Sequence, residues 1–151
     1  VEGEEKMNAE EVKAMLCIDH IVWNALVCLL EKHPEESLHD PASPPWTSRD
    51  VYAHFARWFN RSNAHIEAYC AGKELPQFSK APEEMNDIWQ KEDSALTLTE
   101  ARTKAMDAFA RRMSIIENIP PTKWDAELEK LVRYDGAMHY TMHINYIVDK
   151  K

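Results

Sequence analysis

His139 and His143 stand four residues apart in the stretch His139-Tyr140-Thr141-Met142-His143. On a helix that spacing puts the two rings one turn apart on the same face, where both can reach one ion. Two imidazoles alone hold a divalent metal weakly, so a stable site needs a third ligand from a neighbouring element. The candidates are His54, His65 and His20. His54 falls three residues after Val51 and four before Trp58, on the apolar stripe of its segment. His65 follows His54 by eleven residues, or about 16 Å along the same face, so only one of the two can join the pair. His20 sits beside Asp19 at a break in an apolar stripe and is the weaker option.

Three neutral imidazoles leave a divalent ion with an open position, which is the form of a catalytic site. Nitrogen ligands alone do not choose between zinc, nickel and other ions. Asp19 is the one carboxylate that interrupts an otherwise apolar inward stripe. It is the candidate general base or orienting group, set against the alternative of a solvated residue just off the core. Trp58, one turn from His54, is a candidate pocket wall, although aromatic residues at helical spacing are more often plain core.

Helices have to position these groups. From Asn8 to Lys32, Val12, Met15, Leu16, Val22, Trp23, Leu26, Leu29 and Leu30 recur at helical spacing, and His33-Pro34 ends the run. Glu35 to Trp46 holds Pro41, Pro44 and Pro45 and cannot be helical. Thr47 and Asp50 read as a cap opening a second helix, with Val51, Phe55, Trp58, Ile66 and Tyr69 inside and Gly72 as its left-handed stop. A short helix begins at Pro82, and Thr97 to Glu100 is a capping box for the next long one, closed by Pro120-Pro121. Trp124 to Leu131 reads as an acidic turn or short helix, and Asp135-Gly136 as the cap of a last helix through Val148. The expectation is one all-α domain over 8–151 after a flexible 1–7: a four-helix bundle of two hairpins. The long connection between the second and third main helices lets these run parallel, in up-down-down-up order.

Composition agrees. A chain of 151 residues with 44% hydrophobic residues, 29% charged residues and only three glycines favours helices over a turn-rich β fold. With 18 Lys and Arg against 26 Asp and Glu, the net charge of -8 repels nucleic acid and anionic membranes. No apolar run of spanning length and no secretory start stand out, so the expectation is a cytoplasmic protein with no membrane partner. Cys17 and Cys28 read as small buried hydrophobes, and Cys70 as a half-exposed thiol at a helix end. The acidic runs Glu2 to Glu11 and Asp125 to Glu129 read as solvated faces.

The stretch Trp46-Thr47-Ser48-Arg49-Asp50-Val51-Tyr52-Ala53-His54-Phe55-Ala56-Arg57-Trp58 resembles the second-helix signature of the DinB-like (YfiT-type, damage-inducible) metalloenzyme superfamily. Gly136 to Ile144 resembles its last-helix motif. Ala71-Gly72-Lys73, Met85-Asn86-Asp87 and the Thr97 to Arg112 run resemble its maleylpyruvate isomerase-like and ClbS/DfsB-like branches. The resemblance implies a helical bundle and a divalent metal, zinc or nickel, on His54, His139 and His143. It further implies a cavity where Asn86 and Trp89 bind substrate, homodimers, and thiol transfer, isomerisation or hydrolysis of a small electrophile, with a low-molecular-weight thiol as possible co-substrate. His139 stands where isomerase-like members often carry a carboxylate, which loosens the link to that reaction. Two other readings compete: a metal-free protective or sequestering protein of the ClbS/DfsB type, and a non-catalytic helical module whose histidines are core residues.

Overall fold

The computed structural model describes residues 6–32 and 46–149. The helix stop at His33-Pro34, the proline-rich stretch up to Pro45 and the start at 1–5 lie outside the described residues. Six α-helices follow in order: α1 (Ala9–Lys32), α2 (Ser48–Cys70), α3 (Pro82–Glu92), α4 (Leu98–Glu117), α5 (Ala126–Tyr134) and α6 (Ala137–Asp149). The protein is all-α, with no strand among the described residues.

Local chemistry sets the helix starts. Asn8 and Glu11 exchange backbone-to-side-chain bonds of 2.9 and 3.2 Å ahead of α1, and Thr97 and Glu100 do the same ahead of α4 at 3.1 Å each. At α2 the Asp50 carboxylate does the work, accepting from the Thr47 N–H at 3.0 Å and its hydroxyl at 3.1 Å. Gly72, at φ 69°, supplies the left-handed stop.

Cross-helix pairs fix the directions. Along α2 and α4, Arg102 lies 5.8 Å from the Tyr52 ring, Asn63 Nδ2 donates to the Ala108 carbonyl at 3.3 Å and Arg111 meets Glu67 at 2.6 Å, so the numbers rise together and the two helices run parallel. Between α1 and α2 they run oppositely: Ser48 Oγ donates to the Leu30 carbonyl at 2.8 Å, while Trp23 packs on Phe55 and Phe59. Asp19 meets Ala137 and Trp23 meets Tyr140, which makes α6 parallel to α1. The order of directions is therefore up, down, down, up for the four long helices. The tightest backbone packing is α2 on α4 and α1 on α6, not the expected hairpins of chain neighbours. Small residues explain this: Ala101, Ala105 and Ala108 recur each turn on α4, and Ala53 and Ala56 on α2, all buried, which lets the α2 and α4 backbones approach.

Trp23 joins all four. Its ring lies 5.2 to 5.4 Å from those of Phe55, Phe59, Phe109 and Tyr140, stacked on Phe109 and edge-on to the rest. Met7, expected in the flexible start, is buried against this core.

Two expectations about α1 are corrected. Its buried face is Met15, Asp19, Trp23, Leu26 and Leu30, which turns Cys17 and Cys28, themselves three turns apart, outward, so both are exposed. Polar residues are also sparse enough on α1 for an 18-residue window to reach a mean hydropathy of 1.6, so length and composition suffice to cross a membrane. The core helix of a soluble protein meets the same test, and α1 does supply core residues.

The acidic segment at Asp125 is not merely solvated. Its carboxylate caps α5 by accepting the Leu128 N–H at 2.9 Å and accepts a hydrogen bond from the Tyr69 hydroxyl at 2.6 Å, tying α5 to α2. The Tyr69 bond holds the Asp125 carboxyl below its ordinary value, and the carboxylate pushes the Tyr69 hydroxyl up to about 12. A depressed carboxyl adds stability above its unfolded pKa that is lost as pH falls. A raised phenol adds stability below its unfolded pKa that is lost as pH rises. Tyr69→Phe should therefore cost about 1 kcal/mol, screened by partial exposure, across the plateau between the ordinary values of 3.8 and 10.0. Urea melts over a pH series should show the wild-type advantage shrinking below and above that plateau; an advantage independent of pH would contradict the assignment.

Candidate metal centre

His54 comes from the second turn of α2, and His139 and His143 from one face of α6. His139 Nε2 lies 3.3 Å from His54 Nε2 and 3.2 Å from His143 Nε2. The three ligand atoms all fall within 4.8 Å of one another, so these residues could hold a metal ion. The rings are largely enclosed: His143 is 3% exposed and His54 9%. Trp46 roofs the cluster, its ring 4.9 Å from that of His54 and stacked at 6.4 Å on that of His143. Phe55 forms the floor, 4.6 Å from the His139 ring and 4.9 Å from that of His143.

The other side of His139 is engaged. Its Nδ1 lies 3.2 Å from Asp135 Oδ1. The pair stands at ion-pair distance without hydrogen-bond geometry, and the carboxylate's charge alone favours hydrogen on Nδ1, which leaves the Nε2 lone pair toward the cluster. Asp135 was expected to cap α6; the structure gives that task to Asp19, whose Oδ1 accepts the Ala137 N–H at 3.1 Å.

Asp19 does not reach the histidine cluster. It is 3% exposed, so the solvated alternative is also overturned, and its Oδ2 takes two bonds from Arg112, from Nε at 3.0 Å and Nη2 at 2.8 Å. Arg112 Nη2 also donates to the Val132 carbonyl at 2.8 Å. Burial works against the Arg112 charge, but Tyr140, Asp19 and Asp135 outweigh it and hold the guanidinium above its ordinary pKa. Gly136 passes directly over this pair: a Cβ there would sit 3.1 Å from both Arg112 Nη2 and Asp19 Oδ1. The ion pair thus seats the joint between α5 and α6, and with it Asp135 and His139.

An open cleft of about 540 Å³ leads to the cluster. Trp46, Trp58, Tyr134, Tyr146, Met138 and Met142 wall it, with Asn86 and Glu83 as polar groups at its side. Trp58 is both core and wall: it is 4% exposed, and its Nε1–H donates to Asn86 Oδ1 at 2.7 Å. Arg57 holds α3 in place for this contact, gripping Asp93 with Nε at 3.1 Å and Nη2 at 2.9 Å. Trp89 stands behind, edge-on to Trp58 at 5.4 Å, outside the cleft lining, and borders a void of about 10 Å³ shared with His54 and Asn86. His65 lies away from the cluster with its Nδ1 2.8 Å from the Arg61 carbonyl, and exposed His20 lies edge-on to Phe109 at 5.2 Å.

Sequence reasoning missed Trp46, Asp135, Tyr134, Met138, Met142 and Tyr146. Asp135 carried a usable signal, since it precedes His139 by the same four residues that separate His139 from His143. The fold and site define an all-α protein with a three-histidine cluster at the end of an aromatic cleft. Compared with known proteins, the chain matches no family model, no curated protein and no solved structure.

Proposed function

We propose that this chain is a divalent-metal-dependent enzyme of the DinB-like type, acting on a small electrophilic molecule in the aromatic cleft. The observation that carries this reading is the convergence of three imidazole nitrogens at 3.2 and 3.3 Å on His139 Nε2. Bare ring nitrogens gain little from such crowding, because each pair can share only one hydrogen, whereas a shared cation satisfies all three lone pairs. Zinc and nickel both suit imidazole ligands. A bound ion would supply Lewis acidity and an open position for a nucleophile, water or the thiol of a co-substrate.

The chain's own residues do the rest. Asp135 orients His139, Trp46 and Phe55 limit water around the rings, and Asn86, with its oxygen taken by Trp58, keeps its Nδ2 hydrogens for a ligand oxygen. The expected site is the cytoplasm, where free thiols such as Cys17 and Cys28 persist.

Metal analysis of protein purified without a histidine tag, with zinc or nickel added and excess removed, tests the reading. About one ion per chain is expected. No retained ion would leave the cleft as a site for sequestering or hydrolysing a reactive molecule without metal. Asp135→Asn should lower metal affinity roughly 10- to 100-fold, as loss of such an orienting partner does, with a smaller fall in melting temperature than loss of Asp19, because Asp135 supports Arg112 only through space. Competition with a chromogenic chelator measures it, and unchanged affinity would remove Asp135 from the site.

A further inference from the structure

Of the seven arginines, Arg49, Arg57, Arg102, Arg111, Arg112 and Arg133 each pair with a carboxylate, whereas Arg61 pairs with none among the described residues. Its guanidinium lies 3.8 Å over the Phe78 ring and 5.4 Å from that of Trp58, and its Nε makes no hydrogen bond. Stacking on two aromatic faces fixes the plane of the group and leaves its donor edge for a planar acceptor. Arg61 borders a second cavity, of about 300 Å³, together with Ser62 and His65. Ser62 is 4% exposed, and its Oγ is buried without a hydrogen-bond partner. A buried hydroxyl with no partner is costly, and beside it stands a half-buried guanidinium with no carboxylate at contact distance; one ligand oxygen pair would complete both.

Three other charged groups border this cavity. Lys130 and Glu127 pair with each other at 3.4 Å, and Asp135, whose Oδ1 lies near His139, supports the Arg61 charge only through space, so Arg61 is the cation of this cavity that has no ion pair at contact distance. The cavity shares Tyr134 and Asp135 with the histidine cleft, and the two are neighbours across them. Among the described residues, the cleft itself has no lysine or arginine in its lining. Arg61 follows His54 by seven residues, two turns on the same face of α2, or roughly 10 Å.

We propose that the Arg61 and Ser62 cavity binds the carboxylate of the small molecule whose apolar body lies in the cleft. The ligand class is an aromatic or extended apolar monocarboxylate, its reacting end about 10 Å from the acid group. This rests on reading the cleft as the substrate site but needs no metal.

The test titrates tag-free full-length protein, without added metal, with phenylacetate through 5-phenylpentanoate and with the matching primary amides, followed by calorimetry and NMR. At least one acid should bind about tenfold tighter than its amide, as a charged partner for a guanidinium does. Arg61→Gln should abolish that preference while retaining the wild-type circular dichroism spectrum, and Arg61→Lys should restore only part of it. Arg111→Gln, at an exposed arginine that borders neither the cleft nor this cavity, should leave the preference intact. Acids and amides binding alike, no acid binding at all, or a preference surviving in Arg61→Gln would overturn the proposal. An Arg61-dependent preference in a protein that retains no metal would keep this inference and remove the metal reading; bound metal without the preference would do the reverse.

Discussion

Replacing His143 by alanine should lower zinc or nickel affinity on the order of 100-fold or more. Structural zinc binding of about 10–16 kcal/mol over four ligands is roughly 3 kcal/mol per ligand, and the two histidines that remain come from different helices. His139→Ala and His54→Ala should behave alike, whereas His20→Ala, which removes an exposed ring that packs edge-on to Phe109, should leave metal affinity unchanged. The variant has a second consequence that separates ligand from core residue. His143 is nearly fully buried, so alanine also leaves a cavity and destabilises the protein whether or not metal binds. The decisive quantity is therefore the rise in melting temperature on adding metal, because only the native state holds the three ligands together. That rise should be large in wild type and absent in His143→Ala. An equal rise in both would mean that the ion binds elsewhere.

Asp19→Ala should be the most destabilising single change in the chain, at about 3–5 kcal/mol. It strands the Arg112 guanidinium, which is fully buried, and removes the acceptor for the first N–H of α6. For a domain of this size the loss corresponds to a fall in melting temperature of roughly 10 °C. Removing both charges by Asp19→Leu with Arg112→Met should recover much of it, since replacing a buried pair by apolar groups of similar volume is far less costly than breaking it. Asp19→Asn distinguishes a positioning residue from a general base. A base would lose turnover at unchanged stability, whereas here stability falls and metal affinity follows only as far as the α5–α6 joint loosens. Full stability with lost activity would reinstate Asp19 as a base.

Much of the scaffold was legible before any coordinates. Hydroxyl and carboxylate caps, proline stops and the three-and-four spacing of apolar residues are local features, and local features decide where helices begin and end. The pairing of His139 with His143 is of the same kind, because one helical turn fixes it. The choice of His54 over His65 followed from the residues around Val51 and Trp58 only as far as a shared face; the level at which α6 crosses α2 made the selection. Cys17 and Cys28 were misread because an apolar helix offers several plausible inward faces, and the alternation of Met15, Asp19, Trp23 and Leu26 prevailed only through the aromatic cluster around Trp23.

What the amino-acid order determined alone is therefore the set of helices and the two-histidine face of the last one, since both depend on neighbours within a turn. What tertiary structure decided is everything that joins residues far apart in the chain. Asp19 and Arg112 are 93 positions apart and find each other only when α1 and α4 enclose the same core. Asp135 faces His139 instead of capping α6 because that ion pair has already taken the cap. Long-range pairing of charges and ring nitrogens depends on which helix faces meet, and no local rule contains that information.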